Sequence, residues 1–150
     1  MERGFVILGA ENNLKGDWKM DVKKFWAAVL GQDAGAMRPY FHEDARVNWH
    51  NTNEQFTVEE FIRANCEYPG QWDGEVERVV EQGGLVITAT RVWAAGGGPS
   101  FHVVSFIQLR EERIISVDEY WGDDGAPPQW RVEKQIGRAI PMDGKGEGAV

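Results

Sequence analysis

Apolar residues in the early part of the chain recur at the spacing of one helix face. Between about Asp21 and Leu30 they stand at i, i+3, i+4, i+7 and i+8, as Val22, Phe25, Trp26, Val29 and Leu30. Gly31 follows directly and is a typical stop signal for a helix. A second, shorter helix is expected over about Ala34–Phe41. The pattern therefore predicts two consecutive helices, the first of them clearly amphipathic.

A third helix is predicted to begin at Thr57. Thr57 is a favourable N-cap, and Glu60 stands three residues later, which is the spacing of a capping box. Phe56 and Phe61 occupy the positions of a hydrophobic staple on either side of this start. The dipeptide Pro69-Gly70 is expected to end the helix.

Elsewhere apolar and polar residues alternate, which is the period of a β-strand. The first such stretch is Ala45–His50, followed by a predicted polar loop over Asn51–Gln55. Four more strand candidates fill the second half of the chain: Glu75–Glu81, Leu85–Ala94, Phe101–Leu109 and Ile114–Gly122. Their short connections imply antiparallel pairing. This element order predicts an α+β domain whose curved antiparallel sheet wraps around a helix and leaves a cavity.

The same patterns divide the chain into three parts. Residues 1–18 show weak periodicity and are interpreted as an N-terminal extension. Residues 19–122 carry the predicted helices and strands. Residues 123–150 are rich in Gly and Pro and are interpreted as a C-terminal tail. The length of 150 residues fits one domain.

Charge and cysteine content exclude several classes of function. The net charge is −8 and no Lys/Arg cluster occurs, so nucleic acid and anionic membrane surfaces are not expected as partners. Cys66 is the only cysteine, which excludes an intrachain disulfide and fits a reducing compartment. The apolar run Phe5–Leu8 is too short for a membrane span. A cytoplasmic protein is therefore expected.

Three stretches resemble a known superfamily. Lys24–Leu30 followed by Asp33 resembles the opening helix of nuclear-transport-factor-2-like domains, and Phe41–Val47 resembles the entry to their first strand. Arg113–Trp121 resembles their last strand closely. Within the superfamily the chain is most similar to the SnoaL-like group, and it resembles the ketosteroid isomerases and polyketide cyclases more distantly. The resemblance implies a barrel-like curved sheet around a cone-shaped pocket.

The resemblance also implies which isomerase activity the chain lacks. Matching the motifs places Phe25 at the isomerases' oxyanion-hole Tyr, Trp49 at their general base and Ser105 at their second Asp. Phe has no donor, Trp has no useful base, and Ser is not a neutral carboxylic acid. A ketosteroid isomerase is therefore not expected. The superfamily's pocket serves isomerases, cyclases, dehydratases, epoxide hydrolases and non-catalytic binding proteins, so fold alone decides little.

Glu119 is the principal candidate for chemistry. Alternation along a strand puts Val117, Glu119 and Trp121 on one face, and the resemblance turns Val117 and Trp121 inward. Burial between apolar walls would raise the pKa of Glu119 and suit it to general acid or base catalysis. The alternative is a structural carboxylate that hydrogen-bonds to a neighbouring Trp or Arg.

Other polar residues near the predicted pocket have two interpretations each. Arg91, which shares a face with Trp93, is a candidate charge partner for Glu119, although a structural ion pair is favoured. His50 follows Trp49 at the strand end and is a candidate proton carrier, with a structural role favoured. His102 is expected to point away from the pocket, toward an interface.

Aromatic side chains are expected to form the pocket walls, as in most small-molecule sites. The predicted lining residues are Trp26, Trp49, Trp72, Trp93 and Trp121, with Tyr68 at the mouth. The three histidines lack the spacing of metal ligands, so no metal is expected. No cofactor is expected either, because proton transfer needs only a positioned acid–base pair.

Three hypotheses about function follow. The first is an acid–base enzyme of the SnoaL-like type that acts on a small apolar or cyclic carbonyl compound, with Glu119 as acid or base and Ser105 orienting the substrate. The second is a protein that binds such a molecule without turnover. The third is an interaction module that uses the outer sheet face, including Val104 and Phe106. A homodimer is expected under all three.

Overall fold

The computed structural model describes residues 20–142, and the predicted extension at residues 1–18 lies outside them. The helices are α1 (Val22–Leu30), α2 (Ala34–Met37), α3 (Val58–Cys66) and α4 (Gln129–Glu133), and a 3₁₀ turn covers Arg38–Tyr40. The strands are β1 (Phe41–Trp49), β2 (Glu54–Thr57), β3 (Trp72–Gln82), β4 (Leu85–Ala94), β5 (Ser100–Arg110) and β6 (Arg113–Asp123). The α+β class predicted from the sequence is confirmed.

The six strands form one curved, open sheet in the order β2-β1-β6-β5-β4-β3. Strands β3 to β6 form the predicted antiparallel meander. The expectation of a fully antiparallel sheet was wrong at one pairing, since β1 runs parallel to β6. The rule that short loops give antiparallel neighbours does not constrain this pair, because four strands and a helix separate β1 from β6 along the chain.

Strand β2 was not expected, since Asn51–Gln55 was predicted to be a loop. The strand is short and mostly exposed, and among the described strands it pairs only with β1, from Trp49 opposite Glu54 to Arg46 opposite Thr57. An exposed edge strand needs no apolar alternation, so the sequence carries little signal for it.

Helix α1 follows its periodicity closely. The Asp21 side chain caps its start by accepting from the Lys24 N–H at 3.1 Å. The buried face includes Phe25 and Trp26. Helix α2 is shorter than predicted, because the chain tightens into the 3₁₀ turn at Pro39, which has no N–H to donate to a longer α-helix.

The predicted capping box of α3 is confirmed. Thr57 Oγ1 accepts from the Glu60 N–H at 3.2 Å, and Glu60 Oε1 accepts from the Thr57 N–H at 2.9 Å. The helix ends at Cys66, just before Pro69-Gly70.

The sheet has an inner face, toward α1, and an outer face. The inner face is buried and carries alternate residues of the long strands, among them Val86, Thr88, Thr90, Val92, Val103, Ser105, Ile107, Val117 and Glu119. Trp26 of α1 reaches this face, where its indole Nε1 donates to Thr88 Oγ1 at 3.2 Å. The core therefore lies between α1 and the concave side of the sheet.

The described part of the predicted tail adds little to that core. Residues 124–142 are exposed throughout, and α4 lies among them. Within residues 20–142, none of the helices has the length and apolar character that crossing a bilayer requires.

Candidate functional site

A cavity of about 300 Å³ opens between the inner face of the sheet and helices α1 and α3. Among residues 20–142, seven aromatic residues line it: Trp26, Trp49, Phe61, Tyr68, Trp72, Phe101 and Trp121. The polar lining residues are Gln32, Asn51, Thr52, Asn65, Glu119 and Asp123. Such an apolar cavity with few polar groups has the form of a small-molecule site.

Glu119 lies at the inner wall of this cavity and is only 4% exposed. Its Oε1 accepts hydrogen bonds from the indole N–H groups of Trp49 and Trp121, each at 3.1 Å. Its Oε2 accepts from the Ser105 hydroxyl at 2.8 Å. Both carboxylate oxygens are therefore held in place by protein donors.

The register of the sheet assembles these three donors. Glu119 stands opposite Trp49 in the parallel β1–β6 pairing and opposite Ser105 in the antiparallel β5–β6 pairing. Trp121 follows two residues later on β6 and so shares the face of Glu119. Three strands thus direct their donors at one carboxylate.

Burial raises the pKa of Glu119, and the hydrogen bonds from Ser105, Trp121 and Trp49 oppose that rise. An indole N–H can only donate, so the two tryptophans keep Oε1 an acceptor. A proton on Glu119 would therefore reside on Oε2, beside a Ser105 hydroxyl that can either donate or accept. This arrangement leaves Oε2 as the oxygen that can carry a proton.

Three amide side chains hold the cavity's rim, of which the sequence singled out Asn51 but not Gln32 or Asn65. Asn51 makes paired hydrogen bonds to the backbone of Trp121: its Oδ1 accepts from the N–H at 2.6 Å, and its Nδ2 donates to the carbonyl. Gln32 Nε2 donates to the carbonyls of Asn65 and Tyr68, at 3.0 and 2.8 Å. Asn65 Nδ2 donates to the Val29 carbonyl at 2.9 Å.

These rim contacts join parts of the chain far apart in sequence. They connect the end of α1 to the end of α3, and the loop after β1 to β6. No local pattern of residues signals such partners.

The structure brings together most of the predicted site residues. Trp26, Trp49, Trp72 and Trp121 line the cavity with Glu119, and the half-exposed Tyr68 lies among the lining residues. Ser105 is fully buried behind the cavity wall and meets the cavity only through Glu119.

Arg91 and Trp93 are not in the cavity, which corrects their predicted placement. Both lie on the outer face of β4, because its buried face carries the even-numbered residues from Val86 to Val92. The Arg91 guanidinium stacks over the Trp93 ring, 4.3 Å from its centroid. Arg91 is therefore not the charge partner of Glu119.

His50 is likewise outside the cavity lining. Its Nε2 lies 2.7 Å from Asp118 Oδ1, and its ring stacks on Tyr120 with centroids 4.3 Å apart. Both partners belong to the outer face of β6, which the alternation from Trp49 predicts. Partial burial would raise the pKa of Asp118, but hydrogen bonds from His50 and Asn48 bring it below its usual range.

The family is decided by a comparison with known domains. The profile of the SnoaL-like domain matches residues 22–117, from the first helix to the middle of β6. The chain belongs to the SnoaL-like family. No curated protein sequence matches this SnoaL-like chain significantly.

Solved structures share the fold of this SnoaL-like protein. A candidate ketosteroid isomerase from Kribbella flavida DSM 17836 is 22% identical with a TM-score of 0.67, over 80% of this chain and 87% of the other. A candidate SnoaL-like polyketide cyclase from Jannaschia is 19% identical with a TM-score of 0.58, over 67% and 81%.

A third neighbour was solved with a ligand. This hypothetical protein from Catenulispora acidiphila has a ketosteroid isomerase-like fold and is in complex with trimethylamine. It is 17% identical with a TM-score of 0.58, over 66% of this chain and 82% of the other. At these identities the three neighbours establish the fold and not an activity.

Proposed function

We propose that this SnoaL-like protein binds a small, mostly apolar organic molecule in its cavity, with Glu119 as the polar contact. The supporting observation is the buried carboxylate at the wall of an aromatic cavity of about 300 Å³, a volume at the lower end of ordinary ligand sites. Three hydrogen bonds orient that carboxylate. The Catenulispora neighbour, solved with a small amine, supports a ligand-binding role for the fold.

Acid–base catalysis by Glu119 on a small carbonyl compound is the second candidate function. Its support is the raised pKa of Glu119, which brings a carboxyl group closer to the range in which it can exchange protons near neutral pH. Such chemistry also needs donors placed where negative charge develops on the substrate oxygen. The N–H groups of Trp49 and Trp121 already donate to Glu119, and that of Trp26 donates to Thr88. These three donors are therefore not free to stabilise a charged substrate oxygen.

Binding and turnover are separable by one experiment. Small carbonyl compounds and apolar amines are screened by ligand-induced thermal shift against the wild type and Glu119→Gln. Exposed Glu75, on β3, supplies the matched control Glu75→Gln. We expect compounds that stabilise the wild type and the control but stabilise Glu119→Gln less, because the polar contact changes from a carboxylate to an amide.

Turnover of each stabilising compound is followed by NMR, as deuterium exchange or product formation. Loss of turnover in Glu119→Gln supports catalysis by this residue, whereas turnover that survives the substitution excludes it. If every bound compound stabilises both proteins equally, Glu119 is not the polar contact.

We also propose that the protein is a homodimer that pairs through its outer sheet face. Val104, Phe106 and Tyr120 are exposed there, and the rings of Phe106 and Tyr120 lie 6.0 Å apart. Sedimentation velocity tests the proposal: a monomeric wild type contradicts it, and Phe106→Glu is expected to shift a dimer toward monomer. The cytoplasmic location stays a prediction.

A further inference from the structure

We propose that the ligand of this cavity is a small organic cation, an ammonium group with apolar substituents. The inference rests on the proposed binding function and adds the chemical class of the ligand. Three observations carry it: the charge of the cavity, the nature of its walls and the assignment of its hydrogen-bond donors.

The described lining carries carboxyl groups and no basic side chain. Its ionisable acidic side chains are Glu119 at the inner wall and Asp123 at the exposed end of β6. Among residues 20–142, the cavity is lined by no Lys, Arg or His. A carboxylate buried without a cation is electrostatically unfavourable, and Arg91, the partner that the sequence suggested, lies on the other face of the sheet. A cationic ligand would supply the missing charge.

The walls are aromatic over a continuous path. Ring centroids lie 5.7 Å apart for Tyr68 and Trp72, 5.7 Å for Trp72 and Phe101, and 6.0 Å for Phe101 and Trp121. This path runs from the half-exposed Tyr68 to Trp121, which contacts Glu119. Aromatic rings attract ammonium groups through their π-electrons, and several rings around one site form a cage for alkylated ammonium.

The tryptophan N–H groups of the lining are already used within the protein. Trp49 and Trp121 donate to Glu119, and Trp26 donates to Thr88. Trp72 Nε1 donates to the Pro69 carbonyl at 3.0 Å. With these polar edges engaged, the tryptophans offer the cavity mainly their apolar ring surface.

The amide side chains of the lining also use their N–H donors within the protein. The amide nitrogens of Gln32 and Asn65 donate to backbone carbonyls, while no hydrogen bond within residues 20–142 uses their side-chain oxygens. The described lining thus offers acceptors and aromatic surface but few free donors. An anion or a carbonyl compound would find little to bind, whereas an alkylated ammonium requires no donors from the protein.

The test uses two molecules of the same shape and different charge. Choline is a quaternary ammonium alcohol, and 3,3-dimethylbutan-1-ol is its neutral carbon analogue. Their affinities for the full chain are measured by isothermal titration calorimetry and by quenching of tryptophan fluorescence. Benzyltrimethylammonium serves as a larger cation. We expect the cations to bind the wild type at least about tenfold more tightly than the neutral alcohol.

Two variants locate the source of that preference. Glu119→Gln should reduce the cation's advantage to within about threefold while changing affinity for the neutral alcohol little. Trp72→Leu should weaken cation binding, whereas Trp93→Leu, on the outer face, should not. Thermal unfolding checks that each variant is folded, and the comparison of the two ligands on the wild type requires no variant.

The outcomes separate this inference from the proposed function. If the neutral alcohol binds as tightly as choline or more tightly, the cation proposal is wrong and the apolar binding function stands. If neither these compounds nor any compound of the carbonyl and amine panel binds, both proposals fail. A cation preference that survives Glu119→Gln and Trp72→Leu unchanged also overturns the proposal, because the charge and aromatic walls would then not cause it.

Discussion

Replacing Glu119 with glutamine removes a buried negative charge and leaves the hydrogen-bonding shape nearly unchanged. The amide oxygen can accept from the indoles of Trp49 and Trp121, as Oε1 does in the wild type. The amide nitrogen can donate to the Ser105 hydroxyl, which then acts as acceptor. The substitution therefore tests the cost of the charge itself rather than the loss of contacts.

The expected effect depends on pH because burial raises the pKa of Glu119 above its ordinary value of 4.5. Between 4.5 and the raised pKa, the unfolded chain has released the proton while the folded protein still holds it. The contribution of Glu119 to wild-type stability is therefore fully present below this window and is lost as pH rises through it. For one group the slope is at most about 1.4 kcal/mol per pH unit, and Glu119→Gln lacks this contribution.

Thermal unfolding followed by circular dichroism between about pH 4 and pH 8 measures the effect. Each kcal/mol corresponds to about 2–4 °C in Tm for a domain of this size. We expect the difference in Tm, Glu119→Gln minus wild type, to increase as pH rises and then to become constant. Glu75→Gln, at an exposed position, should follow the wild type.

A difference in Tm that stays constant over this pH range would contradict a raised pKa for Glu119. A difference that moves in the opposite direction would show that the three hydrogen bonds outweigh burial and lower the pKa.

Two further predictions concern packing around the cavity. Thr88→Val leaves the buried Trp26 N–H without its acceptor and should cost about 1–3 kcal/mol in urea unfolding, with a smaller loss for Thr88→Ser. Gly74→Ala would place a Cβ 2.7 Å from the Arg91 carbonyl oxygen and should cost about 1–3 kcal/mol. Gly96→Ala, with nothing within 4 Å, is the control, and equal stability of the two alanine variants would contradict the close packing.

Local patterns predicted the elements that depend on near neighbours. The apolar spacing from Val22 to Leu30 marks α1, and the pair Thr57 and Glu60 marks the start of α3. Alternation along the last strand placed Glu119 on the same face as Val117 and Trp121, and the structure buries that face. These predictions succeeded because the physical causes act within a few residues along the chain.

The pattern on β4 shows that alternation alone does not predict which face of a strand is buried. Alternation established that Arg91 and Trp93 share one face, but both faces of this strand carry apolar residues. Which face is buried depends on where α1 packs, and Trp26 reaches Thr88 rather than the side of Trp93. The prediction that Arg91 pairs with Glu119 failed for this reason.

The sequence by itself determined that Glu119 shares one face of a strand with Val117 and Trp121, because the side-chain period of a strand is two. Only the tertiary structure decided which groups surround it. Trp49, 70 residues away in sequence, reaches Glu119 because β1 pairs in parallel with β6. No local pattern encodes that pairing, since it depends on how the whole sheet closes over the helices. The donors that orient the carboxylate are therefore properties of the fold.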